Sequence, residues 1–204
     1  MGRTRKSRVW PPPDTAKRYH LDLHPAHPRN LAFAPLSEED LPLLYTWLRK
    51  PHIREFYHQK TVPPWEEMRA DYLRRLHPLW PTRCFLARAG TAAIGYIQVY
   101  RVSDYPEYAA LIGESHGISL DLFIGEPEFL GKGWGRLILS QFLHDIAFPL
   151  FPEEQVSWIY HDARNRRARH ASMAAGFQPV RSFHEEGDLK ELFFLHRAGF
   201  SRNV

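Results

Sequence analysis

Ile118-Ser119-Leu120-Asp121-Leu122-Phe123-Ile124, followed after a short connection by Phe129-Leu130-Gly131-Lys132-Gly133-Trp134-Gly135-Arg136, decides how this chain is read. The first stretch is a near-continuous apolar run with a single charge, Asp121, and fits a buried strand. The second sets three glycines at alternate positions, which lets the backbone approach an anion and point successive N–H groups at it. Behind it Leu137, Ile138, Phe142 and Ile146 recur at helical spacing and carry a helix through about Ala147, whose positive N-terminus adds to the attraction. A nucleoside-triphosphate P-loop is excluded, because Trp134 rather than Lys follows the second glycine and no Ser or Thr comes after it. A dinucleotide-binding unit is disfavoured, since the loop comes late, after a hairpin, rather than in an opening βαβ unit. The pyrophosphate of another cofactor remains, and the plain alternative is that the glycines serve only tight turning and helix packing.

Upstream of this core, Leu31 to Leu36 reads as a strand. Ser37 with Asp40 three residues on resembles a capping box, which opens a helix with Leu41, Leu44, Trp47 and Leu48 on one face. A second helix follows Pro64, with Met68, Tyr72, Leu73 and Leu76 inward, and Pro78 and Pro81 close it. Cys84 to Arg88 and Ala93 to Val102 are β-rich and joined by Ala89-Gly90-Thr91, an antiparallel hairpin, and an acidic loop leads from there to the Asp121 strand. Downstream, Gln155 to His161 is a strand, Arg164 to Ala175 a helix ended by Gly176, and Gln178 to Ser182 with Glu191 to His196 a final strand pair. The order βααβββαβαββ predicts an α/β (α+β) domain around one mixed sheet.

The chain has 204 residues, 44% of them hydrophobic, which suits one globular domain from residue 30 to 204 behind an arm, residues 1–29. The arm carries Pro11, Pro12 and Pro13, lacks apolar periodicity beyond a candidate short strand at Tyr19 to Leu23, and reads as an extended or disordered, flexible segment. Seven Lys and Arg in it face only Asp14 and Asp22, so most of the net charge of +4 sits there. Such a basic segment can touch nucleic acid, but a solvated tail is the plainer reading and a nucleic-acid partner is not expected. The stretch Val102 to Gly131 holds Asp104, Glu107, Glu114, Asp121, Glu126 and Glu128 with no Lys or Arg, a local acidic field. One cysteine, Cys84, rules out an internal disulfide and a cysteine-based zinc cage. No run approaches the roughly 20 apolar residues of a membrane span, and no charged-then-apolar leader opens the chain, so a cytoplasmic location is expected.

Leu130-Gly131-Lys132-Gly133-Trp134-Gly135 after a buried strand resembles the acetyl-CoA pyrophosphate loop of the GNAT superfamily of N-acyltransferases. Asn165, with Gly176-Phe177 eleven residues on, is similar to the family's later strand-helix segment. Leu120 to Glu126 within Gly117 to Gly135, and Asp40 to Phe56 with Trp47 and His52-Ile53, look most like the aminoglycoside 6'-N-acetyltransferases. The likeness covers about Leu31 to Arg197.

The resemblance implies a mainly antiparallel central sheet flanked by helices, with two strands splayed at the acetyl-CoA site, and direct attack of an amine on the thioester without covalent intermediate or metal. It implies cofactor contacts from Leu122, Phe123 and Ile124, from Gly131, Lys132, Gly133, Trp134, Gly135 and Arg136, and from Asn165. Leu122 to Ile124 would part from Trp158 to Tyr160 to admit the pantetheine arm. The implied base is Asp121, by its distance to the glycine loop, and a lone acid in an apolar strand needs such a reason. The plain alternative is a carboxylate at a strand edge, exposed or paired with an arginine. His116 is the rival base, with Glu114 similarly placed. Where many members have a tyrosine acid this chain has Ser172, a departure that leaves the general acid open among Ser172, Tyr160 and Asp162.

For the substrate, Asp104, Glu107, Glu114 and Asp121 would attract a small cationic amine, with Tyr105 and Tyr108 at the rim. Asp162 aligns with an acid of the aminoglycoside group. The expected activity is acetyl transfer to an aminoglycoside 6'-amino group, with a monomer or homodimer as the working unit. One alternative is a siderophore-type N-acyltransferase acting on a hydroxylysine-like amine, whose members carry histidine where Asp121 stands. The other is a non-catalytic CoA-binding or docking module.

Overall fold

The computed structural model describes residues 30–57 and 61–200. β1, Leu31–Pro35, leads through Ser37 into a turn of 3₁₀ helix and α1, Leu41–Leu48. The capping box forms: the Ser37 N–H donates to Asp40 Oδ2 at 2.9 Å, so a donor at the helix start is satisfied locally. Leu41, Leu44 and Trp47 are the buried face of α1. A short α2, Pro51–Arg54, follows, started by a proline that needs no N–H partner there. α3, Trp65–Leu76, has Glu66 and Glu67 in its first turn and Arg74 and Arg75 in its last, which suits the helix dipole.

β2, Arg83–Ala89, and β3, Ala92–Arg101, form the expected hairpin, with Gly90 turning at a φ of +60°. The acidic connection expected as a loop contains a helix, α4, Pro106–Ile112, opened by Pro106 and closed by Gly113 in the left-handed conformation. The sequence reading missed it because seven residues are too few to establish a period. β4 is Ile118–Ile124 and α5 is Trp134–Phe142, which runs on through a π-helical turn at Leu143–Ala147 into α6, Phe148–Leu150. β5, Val156–Asp162, and α7, Arg166–Ala174, precede β6, Gln178–Glu185, and β7, Asp188–His196. This last hairpin is longer than expected, because polar residues of an exposed ribbon give no apolar alternation to read. The basic arm and the candidate strand at Tyr19 to Leu23 lie outside the described residues.

Among the described residues seven strands form one sheet in the order β1-β2-β3-β4-β5-β7-β6. Every neighbour pair is antiparallel except β4 with β5, which pair only at Ile118 with Ser157 and Ser119 with Trp158. The two-residue period of the strands sends alternate side chains to two cores. Leu120, Ile97 and Val99 meet Ile138, Leu139 and Phe142 of α5 in one. Phe123 and Tyr96 meet Leu44, Trp47 and Tyr72 of α1 and α3 in the other. Phe142, fully buried and edge-on to Phe33 and Phe85 at 5.1 and 5.2 Å, contributes about 2–3 kcal/mol by burial alone.

Candidate active site

The site begins where β4 and β5 part. Beyond Ser119 and Trp158 the two strands share no register, although each continues for several residues. The Gly125 N–H donates to Ile94 O at 2.8 Å, which sets the antiparallel ladder's phase. Asp121 and Phe123 therefore turn their backbone groups to β3, and Leu122 and Ile124 turn theirs to the parted edge. That edge offers main-chain donors and acceptors to an extended ligand. The Ile124 carbonyl lies 3.0 Å from His52 Nε2.

The rest of that end of β4 is gripped by the α1–α2 segment. Lys50 Nζ donates to Gly125 O at 2.9 Å and to Glu126 Oε2 at 2.6 Å, and Trp47 Nε1 donates to Glu126 Oε1 at 2.7 Å. Partial burial would raise the Glu126 carboxyl, yet these bonds hold it below the ordinary carboxylate range.

Next along the chain, Gly131 and Gly133 take φ of +70° and +81°, which a side chain would resist, and Gly133 is the N-cap of α5. Gly131, Lys132 and Gly133 are exposed, Arg136 is half-buried, and Trp134 anchors the turn by packing edge-on to Phe129 at 5.4 Å. A Cβ on Gly135 would stand 3.1 Å from the Ala171 Cβ, so this glycine serves the close approach of α5 and α7. Exposed left-handed turns at a helix N-terminus beside an unpaired strand edge suit the pyrophosphate and amide arm of a CoA thioester.

Asp121 projects from the opposite face of β4 and is half-buried. Its cross-strand partner is Gln98, whose Nε2 donates to Asp121 Oδ2 at 2.7 Å. Of the tyrosines in its field, three feel it as the largest influence after burial. Burial first, and the Asp121 carboxylate next, push the hydroxyls of Tyr100, Tyr108 and Tyr160 above their ordinary range, so all three are neutral donors. Tyr108 on α4 shares a 2.6 Å hydrogen bond with Ser119, whose hydroxyl also lies 3.1 Å from Trp158 O at the parting point. Tyr108 and Tyr160 stack at 6.1 Å, and the Tyr160 hydroxyl donates to Glu185 of β6 at 2.9 Å. α4 thus lays an aromatic wall beside Asp121. Gln98, Tyr100 and Glu185 were not foreseen, because nothing local in the sequence marks which polar groups of β3 meet β4 or that Glu185 of β6 reaches Tyr160 of β5.

The other expected residues are dispersed. His116 is exposed on the turn before β4, where its carbonyl accepts from Trp158 Nε1 at 2.9 Å. Glu114 is half-buried just after α4, while Asp104 and Glu107 are exposed at the start of that segment. Tyr105 packs on Tyr100 at 4.9 Å and bonds through its hydroxyl to Thr82.

Ser172 is fully buried on α7 and meets His161 Nε2 at 2.7 Å, on the α5–α7 side of the sheet. Burial pushes His161 down to about 4, so at neutral pH it is uncharged. Asp162 is buried and pairs with the exposed guanidinium of Arg164. Both its oxygens accept from the Arg164 guanidinium at 2.9 and 2.8 Å, with Lys190 Nζ at 3.5 Å, and the Arg164 bonds hold its carboxyl well below the usual range. The pair ties the end of β5 to the turn before α7. Asn165 is the N-cap of α7, its Oδ1 accepting from the Ala168 N–H at 3.1 Å.

A sheet parted at one parallel pair, with a glycine turn and helix N-terminus on one side and a carboxylate with aromatic residues on the other, defines an acyl-CoA-dependent acyltransferase. The chain belongs to the GNAT acetyltransferase family: a model described as an acetyltransferase (GNAT) domain matches residues 37–184. Acetyl-CoA is accordingly the co-substrate. Solved structures share the fold at low identity. Aminoglycoside acetyltransferase AAC(6')-Ib, in complex with coenzyme A and kanamycin, superposes with a TM-score of 0.68 at 22% identity over 85% of this chain and 98% of that one. Spermidine N-acetyltransferase from Vibrio cholerae, in complex with CoA and spermine, gives 0.69 at 16% identity over 83% and 97%. An aminoglycoside N(6')acetyltransferase from Legionella pneumophila gives 0.65 at 20% identity over 83% and 94%.

Proposed function

We propose that this acetyltransferase transfers the acetyl group of acetyl-CoA to a primary amine of a small cationic substrate, with the 6'-amino group of an aminoglycoside as the first acceptor to test. Asp121 carries the reading: an oriented carboxylate beside the parted strands, facing neutral tyrosine hydroxyls. The thioester supplies an activated acyl group and a thiol leaving group. Asp121 would hold the incoming ammonium by a charge-assisted hydrogen bond and take one proton, so that the freed amine attacks the thioester; the second proton leaves nitrogen as the tetrahedral intermediate collapses and balances the one taken up by the departing thiolate. The main-chain groups of Leu122 and Ile124 and the turn from Gly131 to Gly133 would hold the donor in line.

Ser172 is bonded to His161 rather than set beside Asp121, and the neutral Tyr160 hydroxyl, on the face that Asp121 shares, donates to Glu185 and would have to leave that carboxylate to protonate the departing thiolate. The acidic and aromatic α4 segment suits a cation. The aminoglycoside and spermidine enzymes that share this fold act on acceptors of that kind.

The test is thiol release from acetyl-CoA with kanamycin, spermidine and N6-hydroxylysine as acceptors, against an acceptor-free control. Selective turnover with kanamycin establishes the first reading. Preference for hydroxylysine or spermidine reassigns the acceptor, and acetyl-CoA binding without turnover on any of the three rejects an aminoglycoside acceptor.

A further inference from the structure

We propose that Gln98 is the positioning residue of Asp121, and that Arg75 on α3 sets Gln98 in turn, so the carboxylate at the site is aimed by a side-chain relay that starts outside the sheet. This rests on Asp121 being the base.

Gln98 is 4% exposed on β3 between Ile97 and Val99, a position where a primary amide is costly unless both its ends are bonded. Both ends are. Its Oε1 accepts from the Tyr96 hydroxyl at 2.6 Å and from Arg75 Nη1 at 3.2 Å, and its Nε2 donates to Asp121 Oδ2 at 2.7 Å. Arginine can only donate and an ionised carboxylate can only accept, so these neighbours dictate which way the amide points. Arg75 is itself fixed: it pairs with Asp71 at 2.8 Å and its guanidinium lies 4.9 Å from the Tyr72 ring centre.

A guanidinium held on two sides therefore orients an amide, and the amide engages Oδ2 of Asp121, leaving Oδ1 to the acceptor amine. An apolar side chain at position 98 would fill the same space without aiming the carboxylate. Misplacing a base by a fraction of an ångström slows the chemical step while leaving the binding of the acyl donor alone.

The test is a double-mutant cycle of Gln98→Met with Asp121→Asn, with whichever of kanamycin, spermidine and N6-hydroxylysine turns over fastest. Gln98→Met alone is expected to lower kcat about 10- to 100-fold, with the KM for acetyl-CoA within about twofold, and to cost nothing further in Asp121→Asn. Tyr96→Phe, which removes one donor to Gln98 at nearly constant volume, should lower kcat in the same non-additive way even if Gln98→Met folds poorly. Equal losses in both backgrounds, or unchanged kcat in Gln98→Met and Tyr96→Phe, overturn the proposal.

An acceptor-independent readout is the ¹³C resonance of the Asp121 carboxyl in aspartate-labelled protein, assigned by its loss in Asp121→Asn. It should shift in Arg75→Met, a site two side chains away, and an unmoved resonance overturns the relay. Unchanged turnover in Asp121→Asn sinks the base assignment itself, whereas a loss there with none in Gln98→Met sinks only the positioning role.

Discussion

A carboxylate in a strand of apolar neighbours is retained only where something satisfies it, and Asp121 is satisfied by one amide from the adjacent strand. If it is the base, Asp121→Asn should lower kcat by about 10²- to 10⁴-fold, while isothermal titration shows acetyl-CoA binding unchanged. The residue stood out in the sequence as a single charge interrupting an apolar run, and the role of base was what the resemblance implied for it. Gln98 did not, because an inward glutamine on a β-strand has no local signature until the register pairs it with Asp121.

His161 gives a second expectation at this scale. Burial holds it near 4 against an ordinary 6.5, so between those values the unfolded chain binds a proton that the native protein does not. Stability is therefore complete above about pH 6.5 and falls as the pH drops toward 4, by roughly 1–3 kcal/mol from this group. Urea midpoints measured at pH 7 and pH 4.5 should diverge less in His161→Gln than in the parent protein.

At the scale of elements, glycines that look alike in the sequence have different tasks. A Cβ on Gly125, just past β4, would lie 2.2 Å from the Trp47 ring, which is itself fully buried against Phe123. Gly125→Ala should destabilise the fold by roughly 2 kcal/mol or more, read as a lower Tm. Gly131, by contrast, faces open space at a φ of +70°. Gly131→Ala should cost about 1–2 kcal/mol of local strain and show chiefly as a raised KM for acetyl-CoA. The glycine turn was legible because its spacing and the helix behind it lie within one short segment. The brevity of α4 hid the helix that carries Tyr108, and so the wall beside Asp121 was expected only as a rim of aromatic residues on a loop.

For the whole molecule, the family match spans residues 37–184 and each proposed contact lies within it, while the basic arm lies before it. Removing residues 1–29 should leave turnover within about twofold in the thiol-release assay. A larger loss would give the arm a part in the site, and salt-sensitive DNA retention that disappears with it would give the arm a nucleic-acid partner. Among the described residues no helix is long and apolar enough to cross a membrane.

What the sequence determined by itself is local: the strands and main helices, through hydrophobic period and capping residues, and the glycine turn, through spacing. Asp121 was visible for the same reason, as a charge out of place in its own strand. Only the tertiary structure decided which groups converge. It drew Asp162 into a pair with Arg164 and Lys190, turned Ser172 toward His161, and wired Asp121 through Gln98 to Arg75. Those outcomes depend on strand register and on which face of the sheet each side chain takes, and both are set by the packing of segments far apart in the chain.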